Sequence, residues 1–196
     1  MNGLKEAKQA LRAEVLARRD AIDDDARVAM SEVILDRIAA LDAFGAATTV
    51  LAYAGFGSEL ETDSFMHAVL ERGKTLILPR VEGEELGLYA VEDLQRELVP
   101  GTWGIRQPDP ETCERVEPSR VDFVLAPGVA FDARGGRLGY GAGFYDRLLS
   151  SMNPRPALVA GAFEIQVVER VPVDETDVRV DMIVTERQSY RAQTRE

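Results

Sequence analysis

A single cysteine, a single histidine and a single tryptophan occur among 196 residues. One cysteine, Cys113, cannot close an internal disulfide. That excludes a disulfide-stapled scaffold and makes a reducing cytoplasm the simplest setting. Cys113 stands in a polar, acidic stretch and reads as an incidental surface thiol. His67 is the sole histidine, so no Ser–His or Cys–His pair suggests covalent catalysis. No apolar run approaches the ~18–20 residues needed to span a bilayer. Met1–Asp20 mixes charged and apolar residues and holds no signal-peptide hydrophobic block. Positive charge is also scarce, with 23 Lys and Arg against 34 Asp and Glu and a net charge of −11. A nucleic-acid surface needs a basic stripe, and this balance argues against one. An anionic small molecule asks only for local positive potential and converging N–H groups. The question becomes whether the few basic residues gather at one place.

What is present suits one domain over residues 1–196, long enough for a single sizeable core. There are no internal repeats. Leu4–Arg19 has helical spacing at Leu4, Ala7, Leu11 and Val15. Asp23–Asp25 offers capping carboxylates for a second helix, Ala26–Leu41, with Val33, Ile34, Ile38 and Leu41 inward. Thr48–Tyr53 reads as a buried strand, Asp63–Arg72 as a helix stopped by Gly73, and Thr75–Leu78 as a strand closed by Pro79. Gly87–Ala90 and Val121–Ala126 are further strands, with a polar loop at Pro108–Pro118 between them. Phe144–Met152 is a helix, and Leu158–Ala160 and Met182–Val184 are the last two strands. Alternating strands and helices, with several strands apolar throughout, predict an α/β layered domain whose largely parallel sheet is flanked by helices. Such sheets bind ligands beyond the carboxyl ends of their strands.

The segment Arg137–Asp146 reads R-L-G-Y-G-A-G-F-Y-D. Gly139, Gly141 and Gly143 bring backbone N–H groups close to a ligand without side-chain interference. Just before a helix, those groups form an anion nest, to which Arg137 adds a charged donor. Asp146, in the first helical turn, suits a cap or a Mg²⁺ shared with phosphates. No Gly-Lys-Ser/Thr follows, and the third glycine of a dinucleotide fingerprint would fall at Phe144, so neither common phosphate loop fits.

Pro127–Asp132 (P-G-V-A-F-D), followed by that loop, resembles the signature of the 5-formyltetrahydrofolate cyclo-ligase family. The same order of pieces continues at Lys8–Arg12, Glu59–Thr62, Gly73–Arg80, Trp103–Pro108 and Val180–Glu186. The resemblance implies a Rossmann-like fold of the cyclo-ligase type. It also implies use of ATP and Mg²⁺ to convert 5-formyltetrahydrofolate to 5,10-methenyltetrahydrofolate through a phosphorylated formyl group. The protein's part would be positioning and charge stabilisation.

The resemblance assigns Lys8 and Arg12, which share a helix face, to ATP phosphates together with Arg137, Leu138, Gly139, Tyr140, Gly141, Ala142, Gly143, Phe144 and Tyr145. Arg137 and Asp146 carry the catalytic assignment. Asp146 and Asp181 match the metal carboxylates. Phe56, Glu61, Trp103, Tyr140 and Phe144 are expected at the folate, and Arg80 is expected beyond a strand end as a further ligand residue. Three positions depart from the family pattern. Ala142 stands where Lys or Arg is usual, Phe144 where Tyr is common, and Thr176 precedes Asp177 where His-Asp is frequent. A paralogue with the same ATP site but another substrate stays open, as does a folate- or nucleotide-binding protein without activity. A reduced formylfolate and ATP are the expected partners of a cytoplasmic monomer or weak homodimer.

Overall fold

The computed structural model describes residues 2–192, apart from the side chains of Asn2 and Trp103. Helix α1 spans Asn2–Asp20 and α2 spans Asp24–Ala39. Asp23 caps α2, its carboxylate accepting from the Asp25 and Ala26 N–H groups. Ile34, Leu35 and Ile38 form the buried face of α2, while Val33, a step of about 100° away, is exposed. After a short helix, α3 (Asp42–Ala46), come β1 (Thr49–Leu51), α4 (Asp63–Glu71), β2 (Thr75–Glu82) and β3 (Glu85–Val91). A hairpin of β4 (Leu98–Pro100) and β5 (Arg106–Pro108) leads to β6 (Phe123–Leu125). Then follow β7 (Ala130–Asp132), β8 (Arg137–Leu138), α5 (Phe144–Ser151) and β9 (Ala157–Gly161). The last elements are β10 (Val167–Val168), β11 (Met182–Val184) and β12 (Ser189–Arg191). Among the described residues no helix is long and apolar enough to cross a membrane.

Seven strands form the main sheet in the order β12-β11-β9-β6-β1-β2-β3. Its inner five are parallel, and β3 and β12 are antiparallel edges. The mixed α/β layering matches expectation. Period-two alternation splits each strand between two cores. Phe123 and Leu125 face α2 and α4, whereas Val124 faces α5. On the first face Phe44 meets Phe65 and Phe123 at ring-centroid distances of 5.2 and 5.5 Å, all three fully buried. Burial of each such ring stabilises the fold by about 2–3 kcal/mol.

Several elements differ from the sequence-based expectation. Strand β2 does not stop at Pro79, because beyond Ile77 it pairs only with β3 and a proline there withholds no needed ladder N–H. Met182–Val184 is not the last strand. The loop after β6 contains β7 and β8, which with β10 make a separate three-stranded sheet. Cys113 is a core residue, 8% exposed, because the 108–118 segment folds along β3. There the Ala90 N–H donates to Glu114 O and the Val116 N–H donates to Leu88 O, covering the sheet edge. Burial pushes the Cys113 thiol pKa up, which makes it a poor nucleophile.

The small sheet sets the entry to the glycine loop. Asp132, 2% exposed, accepts N–H bonds from Arg134 (2.8 Å), Gly136 (3.0 Å) and Val171 (2.8 Å). Asn would present an amide NH₂ to at least one of these donors. Asp132→Asn is therefore expected to lose about 1–3 kcal/mol of stability. Urea unfolding checks this, and a loss under about 0.5 kcal/mol would show that the carboxylate is dispensable.

Candidate active site

Between β1 and β6 the chain reverses its direction across the sheet, with β2 on one side and β9 on the other. Loops leaving the carboxyl ends of these two strands diverge, which opens a crevice at such a switch point. A cleft of about 1200 Å³ lies there. Tyr53 and Ala54 follow β1 into it, and Pro127 follows β6. Val81 and Leu86 of the β2–β3 hairpin and Ile105–Gln107 wall one side. Helix α1 closes another side, seated by Leu11, Val15 and Leu16 against Val129, Ala130, Leu138 and Val171. The cleft collects six of the 23 basic residues but only five of the 34 acidic ones, reversing the overall bias of the chain.

Arg137 to Tyr145 all border the cleft, as do Lys8 and Arg12. Gly141 (φ +105°) and Gly143 (φ +71°) occupy the left-handed region, which turns the loop and starts α5 at Gly143. A Cβ at Gly143 would come within 2.8 Å of Arg147 Nη1. Arg12 Nε donates to Gly139 O at 2.8 Å. Burial lowers the Arg12 pKa from its ordinary value, yet the guanidinium stays charged. Lys8 Nζ donates to Asp174 (2.7 Å) and Asp177 (2.5 Å). Burial opposes the Lys8 charge, but these two carboxylates outweigh it and hold the ammonium pKa above its usual value.

Arg137 is 3% exposed and donates through Nη2 to Asp146 Oδ1 at 2.5 Å. The Val178 N–H donates to the same oxygen at 3.0 Å. Among the described residues, two buried polar atoms at the cleft lack a partner, Arg137 Nε and Tyr145 Oη. Unmade buried hydrogen bonds cost about 1–3 kcal/mol each and mark places where a ligand can supply the missing group. Burial, with the Glu59 charge nearby, raises the Tyr145 phenol pKa, so it remains a donor.

Glu59, 5% exposed, also lines the cleft. The Phe56 N–H donates to its Oε2 at 3.3 Å. Burial raises the Glu59 pKa, while Tyr140 and Arg19 pull it back. Arg19, 3% exposed, donates to Ser58 Oγ (2.9 Å) and to Tyr140 Oη (2.7 Å). Tyr140 in turn lies against Phe56 with ring centroids 5.2 Å apart. Phe56, Tyr140 and Phe144 thus supply aromatic surface at the cleft.

Three expected residues lie elsewhere. Glu61 pairs with Arg27 of α2 at 3.3 Å and is half exposed. The turn at Gly57–Ser58 folds Glu59 inward, and buried Leu60 then carries the chain toward α4, so Glu61 faces α2. Asp181 precedes β11 at the amino ends of the parallel strands, opposite the cleft. Its carboxylate pairs with Arg155 (2.7 Å) and accepts the Leu158 N–H (2.8 Å). The charged residue between Val180 and Met182 does have partners, but they are structural. Arg80 donates to Pro108 O at 2.8 Å, tying β2 to β5, and does not border the cleft. The Trp103 side chain lies outside the described residues. Sequence reading missed Arg19, Tyr53, Glu59 and Asp177. Glu59 stands in the same E-L-E-T piece as Glu61, and nothing local distinguishes the two.

A family model, the 5-formyltetrahydrofolate cyclo-ligase family, matches residues 4–186. The chain belongs to this family. It is 29% identical to a probable 5-formyltetrahydrofolate cyclo-ligase of Caenorhabditis elegans, over 95% of this chain and 96% of that one. It is 32% identical to the 5-formyltetrahydrofolate cyclo-ligase of Escherichia coli strain K12, over 86% and 94%. The solved structure of an Aquifex aeolicus 5,10-methenyltetrahydrofolate synthetase aligns with a TM-score of 0.85 at 38% identity, covering 96% of this chain and 94% of that one. A Mycoplasma pneumoniae 5,10-methenyltetrahydrofolate synthetase shares the fold, with a TM-score of 0.74 at 23% identity over 91% of this chain and 98% of that one. Membership makes the chain a ligase, and its relatives support 5-formyltetrahydrofolate cyclo-ligase activity.

Proposed function

We propose that the cleft binds ATP through its phosphates on the Gly139–Gly143 loop and closes the ring of 5-formyltetrahydrofolate to give 5,10-methenyltetrahydrofolate, ADP and phosphate. The observation that carries this reading is the pair of buried, unpartnered polar atoms beside a glycine loop bracketed by Arg12 and Arg137. That arrangement fits an anion: left-handed glycines present N–H groups, and the cations stand alongside. Lys8, Arg12 and Arg137–Tyr145 form the nucleotide side.

Asp146 is the carboxylate placed to hold Mg²⁺. Both of its described hydrogen bonds fall on Oδ1. One carboxylate with phosphate oxygens suits Mg²⁺, which commonly keeps several waters; Asp181 has no part in this site. When bound, the ion neutralises charge on the phosphates. Glu59, in place of Glu61, accepts hydrogen bonds from the adjacent donors of the pterin, with Phe56, Tyr140 and Phe144 against its rings. The formyl oxygen attacks the γ-phosphorus, the bond to the bridging oxygen breaks and ADP leaves. N10 then attacks the formyl carbon and loses its proton, and phosphate departs with the former formyl oxygen. Chain residues contribute orientation and charge compensation rather than a nucleophile. The whole chain acts as one catalytic unit, a cytoplasmic monomer or weak homodimer that takes no nucleic-acid partner.

Methenyltetrahydrofolate absorbs in the near ultraviolet, where 5-formyltetrahydrofolate does not. Growth of that absorbance is expected only with ATP and Mg²⁺ together. No product with both present would remove this substrate, and undiminished product without ATP would remove the phosphorylation route.

A further inference from the structure

We propose that Arg147 is a phosphate-binding residue of this cleft and provides the cation that the methyl side chain of Ala142 cannot. This rests on the nucleotide reading above and adds a residue to it. Arg147 lies one turn into α5, its own N–H bonded to Gly143 O at 3.1 Å. Its side chain turns back over the start of the helix. Nη1 donates to Ala142 O at 3.1 Å, and the guanidinium lies 5.3 Å from the centroid of the Phe144 ring. Nη2 donates to Glu84 O at 2.5 Å, across the cleft rim on the β2–β3 hairpin.

Lys8 and Arg137 are bound to carboxylates at the same cleft. Arg147 makes no ion pair among the described residues, and its two acceptors are neutral carbonyls. A guanidinium has five donors, so this arrangement leaves donors for a stronger acceptor. Arg12 shows the same pattern from the other side, donating to the carbonyl of Gly139. The two arginines therefore bracket one short loop that holds the left-handed Gly141 and Gly143. An oxyanion seated on the loop would meet both, through charge-assisted bonds stronger than those to carbonyls. The absence of a Cβ at Gly143 leaves room for Arg147 Nη1 beside the loop.

A purely structural role is the rival, since Arg147 also clamps the hairpin through Glu84. Nucleotide affinity separates the two. Binding of ATP with Mg²⁺, measured calorimetrically without folate, is expected to weaken about 10- to 100-fold in Arg147→Ala. The KM for ATP should rise in step, while the KM for folate moves by less than about threefold. Ala142→Lys restores a cation beside the nest without restoring the clamp. It should tighten nucleotide binding by a larger factor in the Arg147→Ala background than in the parent chain. Affinity in Arg147→Ala within twofold of the parent's would overturn the proposal, as would equal gains from Ala142→Lys in both backgrounds. If the parent chain binds no ATP, the nucleotide reading itself falls, and Arg147 with it. Normal parental binding with an unaffected Arg147→Ala removes Arg147 alone.

Discussion

Asp146→Asn is expected to lower turnover by a factor of about 10²–10³ and to destabilise the fold. Asn keeps a carbonyl for the Val178 N–H but offers Arg137 only a neutral acceptor. Arg137 is 3% exposed, so its charge would remain buried without compensation. Breaking such a pair costs about 3–5 kcal/mol when both partners are buried. The Asp146 side chain is 22% exposed, which places the expected loss near the lower end, about 3 kcal/mol. For a chain of this length that corresponds to a Tm lower by roughly 6–12 °C. The catalytic loss has a separate origin. On the proposed reading, Asp146 holds the metal and aligns Arg137 at the phosphates, and removing one pre-organised charge from such a site commonly costs 10²–10³-fold, roughly, in kcat. Turnover should be measured well below the lowered Tm, with circular dichroism to verify folding. Activity within tenfold of the parent in folded protein would exclude Asp146 from the chemistry, whatever happens to stability.

Glu59→Gln should separate stability from function in the opposite direction. The folate KM is expected to rise about 10-fold, from two charge-assisted hydrogen bonds of ~1.5 kcal/mol each losing about half their strength as they become neutral ones. ATP binding, on the other wall, should move far less. Burial raises the Glu59 pKa, against the opposing pull of Tyr140 and Arg19. The folded chain thus holds the Glu59 proton more tightly than the unfolded chain does. Its contribution to stability is complete below the unfolded pKa and is lost as pH rises through the folded one. At neutral pH the ionised carboxylate is a cost, so Glu59→Gln should melt above the parent at pH 7.5, the difference vanishing in acid. Folate affinity of the parent should weaken as pH falls through the raised Glu59 pKa, and the variant should show no such step. A variant with parental folate KM would remove Glu59 from the substrate site. A parental pH profile in the variant would assign the step to another group.

The alternation of apolar runs with helical periodicity made the layered sheet legible, because strand and helix periods are local properties of the chain. The glycine loop was legible for the same reason. Positive φ at Gly141 and Gly143 and the helix start behind them depend on neighbours within a few residues. The basic pair Lys8 and Arg12 needed only helical spacing to be placed on one face. The small sheet of β7, β8 and β10 was not legible, since two- and three-residue strands carry no periodicity. Nor was the edge strand β12, or the burial of Cys113, which depends on where a polar loop lies along β3.

Glu59 and Glu61 show where local reading stops. Both are glutamates of one four-residue piece, and only the turn at Gly57–Ser58 together with the insertion of Leu60 sends one into the cleft and the other to Arg27. Asp181 repeats the lesson. Its flanking valine and methionine signalled a strand start correctly, but a parallel strand has two ends, and only the assembled sheet shows that this one faces away from the cleft. Sequence by itself determined the layered class, the glycine turn ahead of α5 and the family, each set by short-range pattern. Tertiary structure alone decided which charges share the cleft: Glu59, Asp177 and Arg147 come from three distant segments, and their meeting depends on strand order and packing, which no local window of residues contains.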